Sequence, residues 1–450
     1  MLEVQSSLIS VGELSSHKGQ TINLQGHVQA IRDLGQIMFL LIRDQQGVVQ
    51  VIVEQPHLLE LTRALSAETV VRVEGTVVAK PKSDDSFELH ATGVTALSET
   101  AEPLPIEIGK ADKMKSLSLS TMLDYRPITL RSPAAKAVFK IEAAFCAGFR
   151  EFLNSQNFTE IHSPKIVSTG TEGGAQLFKI DYFGTPAYLA QSPQFYKQIM
   201  VGVFERVFEI GPVYRAEEHD TTRHLNEYVS MDFEMGFIES EQELIAMQTK
   251  LLRHMFETVR EKCAPELALF GAVIPTIKTI PQVTLADAIS LLESTTKWRA
   301  GKASENSLPD LDPEAERLLT QHFAEKEGSE LVYVTKYPHS VRPFYAMPLA
   351  ETRPDGRSIK LSRSFDLLYR GLEITTGGQR IHNPSELIAS ISERGLDPSQ
   401  FGDYLQCFRY GMPPHGGLAI GLERLTKQLL ELPTVKLAAL FPRDINRLRP

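Results

Sequence analysis

The segment Gly211-Pro-Val-Tyr-Arg-Ala-Glu-Glu-His-Asp-Thr-Thr-Arg-His-Leu-Asn-Glu227 leads directly into Tyr228-Val-Ser-Met-Asp-Phe-Glu-Met235. Two apolar runs flank a polar turn, which predicts a β-hairpin. Arg215 ends the first run, whereas Asp232 and Glu234 lie two residues apart on the second, so their side chains share one face. A cationic tip beside paired carboxylates suits a ligand with phosphate at one end and an amine at the other. An exposed, salt-bridged hairpin has the same pattern.

The bulk composition is that of a globular chain with roughly two or three domains. Its 450 residues are 42% hydrophobic and 23% charged, and its three cysteines lie far apart. No run approaches the roughly 18 apolar residues of a membrane helix, so we expect a cytoplasmic protein without membrane contact. The formal net charge of -9 argues against a histone-like nucleic-acid binder, so RNA contacts must come from a few placed side chains.

The chain divides into three regions by pattern. Residues 1–100 contain five strand-like runs with a helical segment from Leu58 to Leu65, which matches an OB-fold barrel whose face binds oligonucleotides. A purely structural barrel is the alternative. Residues 101–130 mix Pro, Lys and Ser and predict a hinge. Residues 131–450 predict an α+β domain that opens with an amphipathic helix after Ser132.

Two segments near the C-terminus carry side chains suited to nucleotide binding. Gly411 to Arg424 is a glycine-rich strand feeding an apolar helix, where an arginine at the helix start adds positive charge beneath phosphate. The run before it carries Glu373 and Thr376, a carboxylate and a hydroxyl that can hold magnesium. A plain strand-to-helix joint and solvated strand residues are the alternatives. The polar stretch Ala300 to Pro313 predicts a surface excursion.

Two segments before the hairpin suit an amino acid. Ser168 to Gly174 predicts a flexible lid with one carboxylate, Glu172. Gln191 to Gln198 predicts a helix with Gln194 and Lys197 one turn apart on the same side. Carboxylates would bind an amine and cations would bind an acidic side chain. A mobile surface loop and a solvated helix face fit the pattern equally well.

Together these segments resemble the class II aminoacyl-tRNA synthetases, and within them the aspartyl-tRNA synthetases of archaeal and eukaryotic type. Three class motifs are recognisable: the long helix ending at Pro164, the hairpin from Val207 to Phe237, and the strand-helix unit from Gly411 to Leu430. The resemblance covers essentially the whole chain. It implies an OB-fold anticodon-binding domain, a catalytic domain built on an antiparallel sheet flanked by helices, and a homodimer.

The resemblance also implies an activity: ATP-dependent activation of L-aspartate to aspartyl-adenylate and transfer to tRNA(Asp), with Mg²⁺ as cofactor. The segment Gln191-Ser-Pro-Gln-Phe-Tyr-Lys-Gln198 looks like the aspartate-reading segment, from which asparaginyl enzymes usually depart. The alternatives are an asparaginyl-tRNA synthetase, a synthetase-like asparagine synthetase, or an RNA-binding module with a degenerate catalytic domain.

The resemblance assigns roles to individual side chains. Arg215 would hold the α-phosphate of ATP, with Arg424 as the second catalytic residue. The implied ATP-binding residues are Arg215, Glu217, Arg223, His224, Glu373 and Arg424, of which His224 and Arg424 lie toward the γ-phosphate. The implied aspartate-binding residues are Glu172, Gln194, Lys197, Arg215, Asp232, Thr376 and Arg380. The implied magnesium ligands are Glu373 and Thr376.

On the barrel, the resemblance implies a set of anticodon-reading residues, with Phe39 stacking on the central uridine. The set consists of Arg32, Phe39, Gln50 and Glu88. Gln29 and Asp84 stand where enzymes restricted to tRNA(Asp) tend to carry an aromatic residue and a lysine. This difference implies that tRNA(Asn) is charged as well, and a strictly discriminating enzyme is the alternative. The altered segment Gly417-Leu-Ala-Ile-Gly421 implies a differently packed adenine pocket.

Overall fold

The computed structural model describes residues 8–80, 86–109, 116–171, 176–301, 308–352 and 358–450. It divides into two compact units, Met1–Ser118 and Leu119–Pro450. The division lies within residues 101–130, whose role as a hinge stays a prediction. No helix in these described ranges is both long enough and apolar enough to cross a membrane.

The first unit is a closed barrel of five described strands, as expected for an OB-fold. The strands are β1 (Thr21–Asp33), β2 (Met38–Arg43), β3 (Val48–Val53), β4 (Val70–Ala79) and β5 (Phe87–Ser98). They close in the order β1-β2-β3-β5-β4, with helix α1 (Pro56–Arg63) between β3 and β4 and a 3-10 helix (Val11–His17) before β1. The predicted OB-fold is confirmed.

The barrel forms because apolar and polar residues alternate along its strands. Leu24 and Val28 on β1, Leu40 on β2 and Val51 on β3 are fully buried, and their immediate neighbours point outward. Alternation with period two places every second side chain inside a barrel. The outward positions are therefore free to carry polar and aromatic groups.

The second unit is built on an eight-stranded sheet, with two small sheets beside it. The eight strands are β6 (Thr159–Glu160), β10 (Arg206–Tyr214), β11 (Glu227–Gly236), β12 (Gln282–Thr284), β13 (Leu331–Thr335), β16 (Ser364–Tyr369), β17 (Leu372–Arg380) and β18 (His415–Gly421). Their order is β12-β13-β16-β17-β18-β11-β10-β6. The small sheets contain β7 (Ile166–Val167), β8 (Lys179–Tyr182), β9 (Thr185–Leu189), β14 (Pro348–Thr352) and β15 (Ser358–Ser362).

The large sheet is antiparallel except at its two edges, where β6 pairs with β10 and β12 pairs with β13 in parallel. The predicted hairpin is its β10–β11 pair, with Val207 opposite Glu234 and Glu209 opposite Asp232. Because β11 also pairs with β18, the hairpin lies inside the sheet and is not an exposed ribbon. The predicted α+β class is confirmed.

Helices flank this sheet. They are α2 (Leu119–Asp124), α3 (Arg126–Thr129), α4 (Pro133–Ser155), α5 (Gln194–Phe204), α6 (Glu241–Lys262), α7 (Ala264–Phe270), α8 (Leu285–Thr295), α9 (Pro313–Glu327), α10 (Pro384–Glu393), α11 (Gly402–Arg409) and α12 (Leu422–Leu430). Short 3-10 helices span His339–Val341, Pro398–Phe401 and Val435–Ala438. The core lies between the sheet and the paired helices α4 and α6, where Phe145, Phe208 and Phe256 are buried.

Helix α4 begins where the sequence predicts. The Ser132 hydroxyl accepts a hydrogen bond from the Ala135 amide, and Pro133 occupies the first turn, where its missing N–H costs nothing. Its Ile141 and Phe149 side chains are fully buried.

Candidate active site

One cleft in the second unit, with a volume of about 730 Å³, gathers residues from several separate stretches of the chain. The predicted active-site residues that line it are Gln194, Lys197, Arg215, Glu217, Arg223, His224, Asp232, Glu373, Thr376, Arg380 and Arg424. Glu172 lies outside the described residues. The sheet thus places side chains far apart in sequence around one ligand-sized volume.

One end of the cleft is a buried set of two cations and two carboxylates. Lys197 Nζ lies 3.0 Å from Asp232 Oδ1 and 3.3 Å from Glu234 Oε2, and Arg380 Nε donates to Glu234 Oε1 at 3.0 Å. All four residues are at most 7% exposed. Burial alone would raise the pKa of Glu234, but Arg380 and Lys197 together hold it below its ordinary value. The set is therefore charged and balanced.

The close approach of β18 to this set requires glycine. A Cβ atom at Gly417 would collide with the Glu234 carboxylate and with the Phe233 carbonyl. The Gly417 carbonyl instead accepts a hydrogen bond from Arg380 Nη2 at 3.0 Å. The glycine-rich segment therefore brings backbone acceptors next to buried cations.

Gln194 is oriented by a buried hydrogen-bond network. Its Nε2 donates to Gln198 Oε1 at 2.9 Å, and the same oxygen accepts from the Tyr404 hydroxyl at 2.9 Å. Gln198 Nε2 lies 2.8 Å from His415 Nε2, and His415 Nδ1 lies 2.9 Å from the Pro413 carbonyl. Burial lowers the pKa of His415 to about 4, so its neutral ring donates from Nδ1 and accepts at Nε2.

The other end of the cleft lies at the loop between β10 and β11. Asn226 Nδ2 donates to the carbonyls of Arg215 at 2.7 Å and Glu217 at 3.0 Å, which fixes the loop backbone. From the start of α12, Arg424 Nη1 donates to the Glu373 carbonyl at 2.9 Å, and its Nε donates to the Arg223 carbonyl at 3.3 Å. Cations converge here at a helix N-terminus, an arrangement that favours phosphate.

His224 stands beside these arginines. Burial lowers its pKa, Glu217 at 3.9 Å opposes the shift, and Arg424 and Arg223 reinforce it. Its Nδ1 lies 2.6 Å from the Thr221 hydroxyl. The lowered pKa favours the neutral form of the ring.

The predicted magnesium ligands meet because of a β-bulge. In a regular strand, Glu373 and Thr376 would face opposite sides of the sheet. The pairing of β16 with β17 shifts register between Leu367 and Leu368, opposite the stretch from Thr375 to Glu373. Both side chains therefore reach the cleft, and the Thr376 hydroxyl donates to Glu373 Oε1 at 3.1 Å.

This donor set fits magnesium. Oxygen ligands suit Mg²⁺, which takes one or two carboxylates and completes its shell with water and nucleotide phosphates. Among the residues that the structure describes, no group of three or more His, Cys, Asp or Glu side chains is arranged to hold a metal. Glu373 and Thr376 would thus bind the ion together with a phosphate ligand.

Three further polar residues at the cleft are not among the predicted site residues. Arg342 lines it and donates to Asp366 Oδ2 at 2.6 Å, and Glu423 lines it beneath the Val229 amide. Glu316, from α9, pairs with the cleft residue Arg223. Arg342 belongs to no recognisable sequence motif. Glu316 comes three residues after the stretch predicted to be a surface excursion. Leu311, near the end of that stretch, is only 9% exposed, so the stretch ends in the core.

On the barrel, most of the predicted anticodon residues lie on the outer surface of neighbouring strands. Arg32 on β1 is directly opposite Phe39 on β2, and Gln50 on β3 is opposite Glu88 on β5. Gln50 Nε2 donates to Glu88 Oε2 at 3.1 Å, so this carboxylate is already partly engaged and is 7% exposed. The residues form two adjacent pairs, a layout open to a single strand of RNA.

Of the two residues predicted to discriminate between tRNAs, the structure describes only Gln29. Gln29 donates to the Gly109 carbonyl at 3.4 Å, so the segment that ends the first unit lies against it. Asp84 lies outside the described residues. Their role in choosing a tRNA stays a prediction.

Comparison with known proteins covers both units. Residues 118–445 match the family of tRNA synthetases class II (D, K and N), and residues 22–97 match the OB-fold nucleic acid binding domain. A Deinococcus radiodurans protein named Aspartate--tRNA(Asp/Asn) ligase is 51% identical over 440 residues, which are 97% of this chain and 98% of the relative. A Thermococcus kodakarensis protein named Aspartate--tRNA(Asp) ligase is 42% identical over 441 residues, 96% and 97% of the two chains.

Solved structures show the same likeness. Asparaginyl-tRNA synthetase from Pyrococcus horikoshii, complexed with asparaginyl-adenylate, superposes with a TM-score of 0.87 at 30% identity. The match covers 99% of this chain and 100% of that chain. The backbone fold is therefore shared with that asparaginyl-tRNA synthetase, so the fold alone does not distinguish aspartate from asparagine.

Proposed function

We propose that this chain, which belongs to the family of class II tRNA synthetases for aspartate, lysine and asparagine, is an aspartate–tRNA ligase. The family predicted from its sequence motifs is confirmed. The buried set of Lys197, Asp232, Glu234 and Arg380 is the observation that carries the choice of aspartate. It offers cations for a side-chain carboxylate and carboxylates for an amino group within one water-excluded volume.

The first reaction joins aspartate to ATP. An oxygen of the aspartate α-carboxylate attacks the α-phosphorus, the bond to the bridging oxygen breaks, and pyrophosphate leaves with its electron pair. Arg215 neutralises charge on the α-phosphate, while His224 and Arg424 bind toward the γ-phosphate. Magnesium held by Glu373 and Thr376 would supply further charge neutralisation. No side-chain nucleophile is needed, because positioning and electrostatic stabilisation lower the barrier.

The second reaction transfers aspartate to tRNA. A hydroxyl of the terminal adenosine attacks the carbonyl carbon of the adenylate, and AMP leaves. The predicted anticodon residues on the barrel read the tRNA through stacking on Phe39 and hydrogen bonds from Arg32 and Gln50. We propose that tRNA(Asn) is charged as well as tRNA(Asp), supported by the Asp/Asn name of the 51% identical relative and by the predicted role of Gln29.

Asparagine fits the amino-acid end less well than aspartate. A neutral amide would leave Lys197 and Arg380 buried and less well paired than a carboxylate ligand would, and poorly paired buried charges are costly. An asparagine-activating enzyme would be expected to replace one of these cations with a neutral group. Both cations are present and buried, which favours aspartate.

We further propose a homodimer that works in the cytoplasm, where its substrates meet. The chain exposes 52% of Leu440 and 44% of Phe441. The Arg126 guanidinium, at the start of α3, donates to the Leu440 carbonyl at 2.8 Å. A second copy would cover this apolar strip.

Aminoacylation of two transcripts tests the proposed function. We expect purified protein to attach aspartate to both tRNA(Asp) and tRNA(Asn) in the presence of ATP and Mg²⁺. Charging of tRNA(Asp) alone would contradict the relaxed specificity and leave the ligase assignment in place. Failure to charge either transcript, and failure to exchange pyrophosphate into ATP with aspartate, would contradict the assignment itself.

A further inference from the structure

A buried carboxylate from outside the three class motifs pairs with Arg223, a cation that lines the phosphate end of the cleft. Glu316 lies in the first turn of α9 and is 7% exposed. Its Oε2 lies 2.5 Å from Nη2 of Arg223, whose side chain is 17% exposed and lines the cleft. Helix α9 packs on β16 and on β17, and β17 carries both predicted magnesium ligands. The pair therefore joins the cleft to a rigid element behind it.

Arg223 stands among other cations. The Arg223 carbonyl accepts a hydrogen bond from Arg424 Nε at 3.3 Å. Burial lowers the pKa of Lys427, and the nearby positive charge of Arg223 lowers it further. Within the described ranges, no second side-chain acceptor holds the Arg223 guanidinium besides Glu316. Without that carboxylate, repulsion from Arg424 and Lys427 would leave the guanidinium free to turn away.

Forming the pair removes the Glu316 carboxylate from water, and this desolvation is unfavourable. The cost argues that the pair has a role in the protein. Burial raises the pKa of Glu316 to about 7, while Arg223 pulls it back and Glu373 adds to the increase. Arg223 therefore favours the ionised form of Glu316, and in that form the two groups together carry no net charge. The ionised Glu316 then does not repel an incoming polyphosphate as a lone anion would.

We propose that Glu316 is a positioning residue that holds Arg223 toward the phosphates of ATP beyond the α-phosphate. The inference rests on the proposed function, because it takes Arg215 as the α-phosphate ligand and Arg424 as a ligand further along. A guanidinium has five donors, so one bond to Glu316 fixes its plane and leaves the others for phosphate oxygens. Glu316 itself does not touch the nucleotide.

Substitution at Glu316, with pyrophosphate exchange and calorimetric binding as readouts, tests the proposal. Glu316→Ala should raise the KM for ATP and the Kd for ATP about tenfold, with kcat changed much less, because one charge-assisted hydrogen bond that orients Arg223 is lost. Binding of AMP, which lacks the outer phosphates, should stay unchanged. Glu316→Gln keeps an acceptor for Arg223 and should restore ATP binding to within about threefold.

The matched control is Glu314→Ala, an exposed glutamate in the same helical turn, which should alter neither nucleotide. Equal weakening of ATP and AMP by Glu316→Ala would indicate a general structural role and overturn the proposal. Tighter ATP binding in both Glu316 variants would show that the carboxylate competes with phosphate, which also overturns it. Exchange by the unaltered protein separates these outcomes from failure of the proposed function. If Glu316→Ala does not fold, Glu316→Asp, with its shorter reach, should show the same ATP-specific loss.

Discussion

The two ends of the cleft differ in how their charges are satisfied. At the end that we propose binds the amino acid, the side chains of Lys197, Glu234 and Arg380 are at most 8% exposed and pair with one another. At the end that we propose binds phosphate, the side chains of Arg424 and Glu373 are 26% and 35% exposed and lie 3.5 Å apart. Buried charges must be paired before any ligand binds, whereas partly hydrated charges are stabilised by water until a ligand binds. The buried end therefore suits selection, and the open end suits a ligand that brings its own large charge.

The largest effect is expected at the open end. Arg215→Ala should lower kcat for aspartate-dependent pyrophosphate exchange about a thousandfold, because it removes charge stabilisation where negative charge develops. The Kd for aspartate, measured by calorimetry, should change little. Unchanged adenylate formation in this variant would show that the α-phosphate is held elsewhere.

The buried end should respond in stability as well as in binding. Arg380→Met leaves the fully buried Glu234 with one cation fewer, and should lower the free energy of unfolding by about 3 kcal/mol. It should also raise the KM for aspartate. Urea denaturation and exchange kinetics measure the two effects.

The control is Lys360→Met, which breaks the exposed pair with Glu393, whose side chains are 50% and 56% exposed. Its cost should stay below about 1 kcal/mol. If the two substitutions destabilise equally, the contrast between buried and exposed charges is wrong.

Glu423, which lines the cleft beneath the Val229 amide, should make the free energy of unfolding depend on pH. Burial raises the pKa of Glu423 from 4.5 to about 7, although hydrogen bonds from backbone amides oppose the shift. The folded state therefore binds this proton more tightly than the unfolded chain. The stabilisation is full below about pH 4.5 and is lost as pH rises through 7, a change of about 3 kcal/mol for this group.

Glu423→Gln should remove that part of the pH dependence, because the amide does not titrate. Unfolding free energies of both proteins, measured between pH 4.5 and 8, should converge at low pH and favour the variant at high pH. A constant difference across the range would mean that Glu423 is ionised throughout.

The smallest effect on catalysis is expected from a substitution in the barrel, whose residues belong to a different unit from the predicted active-site residues. Phe39→Ala should raise the KM for tRNA about tenfold, because stacking on one base is lost. Aspartate-dependent pyrophosphate exchange, which needs no tRNA, should be unaffected. Loss of exchange in this variant would indicate that the barrel does more than bind tRNA.

The sequence predicted much of this arrangement, and the gaps have physical causes. Strand alternation and the flanking helix signals are local, so the barrel and the helix after Ser132 were predictable. The burial of the β10–β11 hairpin depends on pairing with β18, which local pattern cannot reveal. The bulge that turns Glu373 and Thr376 to one face arises from register with the neighbouring strand. The contact between Glu316 and Arg223 joins residues far apart in the sequence, so no local pattern could predict it.

The most direct test of the central claim is pyrophosphate exchange by the unaltered protein with aspartate or asparagine as the amino acid. If Lys197 and Arg380 select a carboxylate, kcat/KM for aspartate should exceed that for asparagine by about a hundredfold or more. Comparable exchange with both amino acids would show that the buried charges serve the architecture of the sheet and do not select the substrate.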